Sequence, residues 1–543
     1  MAFMSVNGQD LTHFKENKVT FHGNLSATSI FYHTNGNFQR KPSFSYILGG
    51  NFVFNLKGFV FPFSFTYSDQ NKSFRQPFNQ YGVSPQWKWI KVHLGYRNIN
   101  FSKYVLGGHT ILGAGLELTP GKFRFGIVYG RLQRTTNKAY NINNPTSDTL
   151  STYSRKALSF KIGVGSDNTF VDFVFLRGYD DSTSVDTSYY RSGNFPATNV
   201  VAGINSRIAF SRTLHLQIES AYSLYTNNQK SIGTVEISPF VDKMIPVNIS
   251  TQGFLAVNGK LEYKNRKGFS AGVQYRRIDP GYKSMGSYFI NNDVENITAN
   301  LGFSLFKRRM SIRGSMGTER NNLKTARNAT TKKLIGSFML NYNPVHFFGI
   351  NINYSNYSVN QHAGRIQIAD SVKLYQTNGT LVIMPHFQFL GKGKKTSHYI
   401  STVYTRMNLN DKNPQSGFNN SFVTSNALLT YGLSFLSNGM GINMSINYNR
   451  VEMSGGQSTN KGFTFGANKS FLKGKFNTGL SVNYTNSVNG TLETTIITPV
   501  LTARGKLGKH HNIRMKFTLI SSDNKNRQSY TENIGDISYV FTF

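Results

Sequence analysis

The chain contains no cysteine. Disulfides, thiolate metal centres and cysteine nucleophiles are therefore excluded together. Proline is sparse, 14 residues in 543, which speaks against a disordered or linker-rich chain. No run of about 18 consecutive apolar residues occurs, so no transmembrane helix is expected. Acids are scarce: 25 Asp and Glu stand against 60 Lys and Arg, a formal charge of +35. That surplus raises nucleic acid as a partner, but such binding needs basic residues clustered on a helix or a compact stripe. Here they are scattered singly along the whole chain, and nucleic acid is not expected. Catalytic signatures are missing too: there is no Gly-x-Ser-x-Gly elbow, phosphate-cradling loop or His-Glu-x-x-His helix. His510 and His511 are adjacent in a turn and would point apart in extended chain. No catalytic residue, metal site or cofactor is expected.

What is present suits strands and turns. Aromatics make up 14% of the chain, with 44 Phe and 29 Tyr, and there are 50 Gly. A soluble protein of this length would be expected to divide into domains with linkers between them. Neither linkers nor shifts in composition appear, and one rhythm of short alternating segments and polar turns continues from about residue 18 to the end. The mean hydropathy of -0.35 decides nothing, because a membrane barrel alternates lipid-facing and lumen-facing residues.

Alternation with a period of two carries the argument, since residues i and i+2 share one face of a strand. Phe59, Phe61, Phe63, Phe65 and Tyr67 fall on one side of their segment. Phe348, Ile350, Ile352 and Tyr354 alternate with Gly349, Asn351, Asn353 and Ser355; Ile442, Met444, Ile446 and Tyr448 alternate with Asn443, Ser445, Asn447 and Asn449. The polar faces are rich in Gly, Ser, Thr and Asn, and the apolar faces end in Tyr or Phe where an aromatic girdle would meet a membrane interface. The pattern predicts an all-β chain, a transmembrane up-and-down antiparallel β-barrel.

Short turns are expected at Leu56 to Gly58, Thr119 to Lys122, Ser166 to Asn168, Ser211-Arg212, Lys264 to Gly268, Lys307 to Arg309, Asn343-Pro344, Gly391 to Lys395, Ser437 to Gly439, Leu472 to Lys475 and Gly505 to His510. They alternate with longer polar stretches such as 136 to 154, 180 to 196, 227 to 248, 360 to 374 and 521 to 532. Counting gives about 25 clear segments, an odd total that conflicts with both ends lying on one side of a closed barrel. The gap falls at Arg97 to Gly108, taken as a further strand for about 26 in all, the alternative being a segment passing through the lumen. The expected division is 1–9 as the remnant of a signal peptide, 10–17 as a short periplasmic segment, and 18–543 as one barrel.

Two resemblances sharpen this. Ile537, Tyr539, Phe541 and Phe543 share one face of the final segment, which resembles the C-terminal strand that the barrel assembly machinery recognises in outer-membrane proteins. Tyr81 to Pro85, His93 to Arg97, Phe101-Ser102, Tyr104, Leu106, Gly108-His109, Gly113 to Leu118, Pro120 to Phe125 and Tyr129 to Arg131 resemble a porin-like family of largely uncharacterised outer-membrane β-barrels of Bacteroidota. That resemblance implies a place in the outer membrane of a Gram-negative cell and a barrel architecture. It brings no substrate and no catalytic residues.

Alternation puts Lys91, Arg124, Lys161, Arg207, Lys260, Arg276, Arg313, Arg504, Arg514 and Lys516 on lumen faces, against the acids Glu117, Asp172, Glu219 and Glu262. On the lipid face each such cation near the midplane would cost about 2 to 4 kcal/mol. An excess of fixed positive charge along a wet pore favours anions. A second basic set, Lys264, Arg266, Lys267, Lys307, Arg308, Arg309, Lys392, Lys394 and Lys395, sits in the short turns, where solvent or anionic headgroups would meet it. The expected function is passive passage of small solutes, anions among them, through a porin-like, non-enzymatic channel. Its expected partners are outer-membrane lipid, the assembly machinery, and small solutes. Two alternatives stand beside it: a non-catalytic barrel subunit of an outer-membrane secretion or assembly complex, with a protein partner, and a barrel-embedded lipid hydrolase. A plug domain or periplasmic modules ahead of the barrel are not expected, which argues against a TonB-dependent receptor.

Overall fold

A strand whose one face is apolar and whose other face is polar leaves its backbone N–H and C=O groups to be satisfied by neighbours, and only a closed sheet does so without leaving edges. The computed structural model, which describes residues 19–56, 59–69, 80–136, 152–185, 194–233, 244–365, 373–413, 415, 421–525 and 528–543, closes in this way. The strand Thr20–Thr34 pairs with Phe44–Leu56 on one side and with Tyr530–Thr542 on the other, so that Ala27 stands opposite both Leu48 and Tyr539. Between these ends each strand pairs antiparallel with the next, giving a closed up-and-down barrel of 26 staves. The expected signal remnant and periplasmic segment, 1–17, lie outside the described residues, as do Lys57 and Gly58 of the first expected turn.

The expected total is right, but the strand that completes it is not the expected one. Arg97 to Gly108 does not cross the wall as a stave: Ile90–Asn98 pairs directly with Thr110–Leu118, and the chain between them leaves the wall and enters the lumen. Parity is restored instead by Gln80–Val83 and Gln86–Trp87, two halves of one stave interrupted at Ser84-Pro85, where proline can donate no ladder hydrogen bond. This stave returns through a tight turn at Lys88-Trp89, with Lys88 at φ 53°, a turn with none of the usual Gly, Asn, Asp or Pro markers. Ile90–Asn98 thus runs away from the short-turn end, opposite to the direction that a stave at Arg97 to Gly108 would require.

Turn boundaries also differ, among them that of Gly505 to His510, where the strand continues to Leu507. The strand expected to stop at Asn343-Pro344 continues to Val345 and returns from Phe348 through His346-Phe347, across an irregularity that accommodates the proline. The stretch 521 to 532 is mostly strand, because cross-strand pairing carries the ladder out to Asn524 and back from Tyr530.

The outer face is apolar. Leu301, Leu480 and Leu501 lie 53–54% exposed along it, and Phe173, Phe338, Phe463 and Ile446 are exposed on other staves. An apolar belt of this extent does not suit a monomer in water. Ile537, Tyr539 and Phe541 occupy the outer face of the last stave, while the Phe543 ring stacks on Phe21 at 4.6 Å and lies 5.6 Å from Phe52. Gly23 and Phe543 exchange backbone hydrogen bonds of 2.9 and 3.0 Å where the barrel closes.

The interior is not uniformly polar, which corrects the expectation of a wet lumen throughout. A buried apolar cluster extends from Ile99 to Val294 and includes Phe101, Val105, Leu106, Ile111, Val128, Val174, Leu176, Val201, Tyr282 and Met285. Part of it belongs to inward-facing wall positions, and part to two loops, 99–109 and 279–293, folded down against that wall.

Candidate functional site: the inner wall and its two inward loops

Register and alternation put all ten basic residues singled out in the sequence on inner faces. They differ in company. Arg124 binds Asp172 through Nε–Oδ1 at 2.7 Å and Nη2–Oδ2 at 3.0 Å. Lys161 Nζ lies 3.3 Å from Glu117 and 4.7 Å from the centre of the Phe101 ring. Arg276 reaches Glu319, which also binds Lys333, both at 3.1 Å. Lys260 lies 3.2 Å from Glu262, and Arg207 stands opposite Gln217, whose side-chain amide lies 3.0 and 3.1 Å from its guanidinium nitrogens. Lys91, Arg313, Arg504, Arg514 and Lys516 have no ion pair among the described residues.

Three of these ion pairs span a stave, Arg276–Glu319 across Asn296 and the other two across a glycine. Gly163 stands opposite both Arg124 and Asp172, and Gly126 opposite both Lys161 and Glu117. Without a side chain on the middle stave, partners two strands apart meet. A Cβ on Gly163 would lie 2.1 Å from Asp172 Oδ1.

The first inward loop, Ile99 to His109, is held by wall groups. Glu219 accepts from Ser102 Oγ at 2.7 Å and from the Lys103 backbone N–H, and Asn205 Nδ2 donates to Phe101 O at 3.1 Å. Gly126 and Gly203 make room, since Cβ atoms there would come within 2.7 Å of Phe101 and 2.9 Å of Val105. The second loop, Asp279 to Asp293, lies on the first. Leu106-Gly107 and Gly286-Ser287 form a short parallel pair, Tyr282 OH donates to Tyr104 O at 2.9 Å, and Ser284 Oγ donates to Val105 O at 2.6 Å. Fully buried Asn199 joins this loop to the wall: it accepts from Met285 N at 2.9 Å and donates to Ser223 Oγ at 2.8 Å, and Ser223 donates to Lys283 O at 2.7 Å. His109, 5% exposed, stacks on Tyr288 at 3.8 Å. Burial first, then the charge of Arg155, pushes His109 down to about 4, against its hydrogen bond to Thr110 O.

Ser84, His93 and Glu117 form a line on the inner wall, Ser84 Oγ 3.0 Å from His93 Nδ1 and His93 Nε2 2.9 Å from Glu117 Oε1. A nucleophile, base and orienter occur in such an order, yet a tetrahedral oxyanion also needs donors beside the nucleophile. The Ser84 N–H is taken by Pro62 O at 2.9 Å and Pro85 has none. The line instead ties the interrupted stave to its neighbours and leads through Glu117 to Lys161. No group of three or more metal-ligating side chains is found among the described residues.

The other side of the lumen is different. Asn443, Ser445 and Asn447, Thr464 and Gly466, and Ser481, Asn483 and Thr485 share the inner face, with Asn483 Nδ2 donating to Thr464 Oγ1 at 2.8 Å. The buried apolar cluster does not reach these staves.

Sequence alone does not mark the loop anchors Asn199, Asn205, Ser223 and Tyr282, and it presents Glu219 only as a lumen acid. A signal was there: Val171 to Leu176 is apolar on both faces apart from Asp172, as strands covered on both sides are.

No protein-family model matches the chain, and no curated protein does. Solved structures similar to it include OccAB2 of Acinetobacter baumannii, at 9% identity over 96% of this chain and 98% of that one with a TM-score of 0.32. The translocation pore of the P pilus usher PapC is 11% identical over 96% and 99%, with a TM-score of 0.37. The FrpB iron transporter of Neisseria meningitidis is 12% identical over 96% and 82%, with a TM-score of 0.42. At these values the likeness says nothing of solute or partner.

Proposed function

We propose that the chain is an outer-membrane barrel acting as a porin-like, non-enzymatic channel for small solutes, with a preference for anions. The observation that carries this reading is the division of the interior. One sector is packed dry by two loops of the chain itself, while the facing sector keeps an Asn, Ser, Thr and Gly surface with Arg504, Arg514 and Lys516 on nearby staves. Solutes pass along the polar sector, and cations that lack a carboxylate partner supply a positive field to it. The apolar outer belt supports a membrane setting, and the likeness of residues 81 to 131 to Bacteroidota barrels supports the outer membrane as its place. Ile537, Tyr539, Phe541 and Phe543 serve as the assembly signal in this reading.

The test is the current through refolded protein in a planar bilayer under a salt gradient. A reversal potential of the sign for anion preference is expected, and strong cation selectivity overturns the anionic part.

The same packed loops favour a second reading, a non-catalytic barrel subunit of a secretion or assembly complex. Such a subunit conducts little and copurifies with a partner from native membranes.

A further inference from the structure

The outer face carries a feature that solute passage does not use. Register lines up Arg277, Glu295, Arg320, Lys332 and Asn360 in one row across five neighbouring staves, near the ends away from the short turns. The row faces outward. The next row toward the middle of the barrel is Tyr275, Ile297, Thr318, Leu334 and Ser358, in which Ile297 and Leu334 are about half exposed, and Met316 lies bare one row further on.

Charge in the row is unevenly matched. Glu295 lies between Arg320, whose Nε it binds, and Arg277, whose Nη1 is 3.6 Å away, and it accepts from Tyr275 OH at 2.9 Å. Arg277 also lies 3.6 Å from Asp279. Two arginines thus share two carboxylates, and the Lys332 side chain has neither an ion pair nor a hydrogen bond among the described residues. Below Lys332 the small side chains of Thr318 and Ser358 leave a groove of about 410 Å³, headed by Arg320, Lys332, Asn360 and Glu295, whose carboxylate is held by Arg320 and Arg277, and walled by Ile297 and Leu334.

A cationic head above an apolar slot, both on the lipid side of a barrel wall, matches an amphiphile standing upright in a leaflet. A phosphate takes forked donors from arginine and a point charge from lysine, and an acyl chain fits between Ile297 and Leu334. A soluble anion would leave the apolar floor unused. A neutral lipid would leave Lys332 unmatched. We propose that this groove is a binding site for a lipid whose phosphate-bearing headgroup carries net negative charge, in the leaflet at the end of the barrel away from the short turns. The site rests on the membrane setting proposed above and not on conduction.

Native mass spectrometry of the refolded full chain tests it, with diphosphoryl lipid A and zwitterionic phosphatidylcholine as competing probes. Insertion into vesicles is established first by protection from protease. Wild type is expected to retain lipid A in preference. Lys332→Gln should lower that retention about fivefold, the effect of one basic group near an anionic surface, and Lys332→Arg should restore it. Lys516→Gln, on the inner face, should leave it unchanged. Equal retention of both probes by an inserted barrel, or equal retention of lipid A by wild type and Lys332→Gln, overturns the site while leaving the channel standing. A lipid A preference in a barrel that passes no ions removes the channel and leaves the site. A chain that does not insert removes both.

Discussion

Arg124 and Asp172 belong to staves that do not touch, and the two hydrogen bonds between them, 2.7 and 3.0 Å, pass over Gly163 on the stave between. Asp172 is 1% exposed, so its charge is tolerable only while the guanidinium faces it. Gly163→Val would place a Cβ 2.1 Å from Asp172 Oδ1 and 2.4 Å from Val171 O, forcing the pair apart. A loss of about 3 to 5 kcal/mol is expected, the cost of an orphaned buried charge. Urea-induced unfolding in detergent measures it, and a loss under about 1 kcal/mol would show that the pair can form around a side chain.

Glu219 is the latch of the first inward loop, accepting from Ser102 and from the backbone of Lys103. Glu219→Ala leaves both donors without their acceptor, at about 1 to 3 kcal/mol. The loop should then leave the wall part of the time. Larger and noisier single-channel currents than wild type are expected, together with new protease cleavage between Ile99 and His109.

Docking of that loop should depend on pH through His109. Burial holds its folded value near 4 against an ordinary 6.5, so the neutral ring is favoured in the docked state. A released loop takes up a proton near 6.5. The contribution to docking is therefore complete above 6.5, is lost as pH falls toward 4, and changes no further below. Tyr288 is stacked on the ring, and Arg155, bound to Asp180 at 2.7 Å, stays charged throughout. Current noise recorded from pH 7 to pH 4 should rise across this interval in wild type and stay flat in His109→Phe.

Selectivity should follow the cations that lack a carboxylate rather than all ten. Arg504→Gln, Arg514→Gln and Lys516→Gln combined should move the reversal potential toward the cation side. Lys161→Gln removes a charge that Glu117 already offsets at 3.3 Å and should shift it less. A larger shift from Lys161→Gln than from the triple variant would contradict a selectivity set on the polar sector.

Much of the wall was legible because strand alternation is a local property. Ile442 to Asn449 shows which side meets lipid without reference to any other residue, and the parity of short turns was enough to demand an even number of staves. The interrupted stave Gln80–Trp87 is not legible along the chain because Ser84-Pro85 breaks its alternation and the Lys88-Trp89 turn lacks the usual turn residues.

Sequence by itself determined the alternating faces, most of the short turns and the placing of the basic residues on the inner wall, since each depends only on neighbours along one strand. The tertiary structure alone decided which cations are matched and where the lumen is dry. Arg124 finds Asp172 only because Gly163 lies between them in the closed sheet, and Glu219 meets Ser102 across 117 positions of chain. Such contacts arise when the curvature of a closed wall brings remote segments together over the same enclosed space, and no periodicity along the chain encodes that distance.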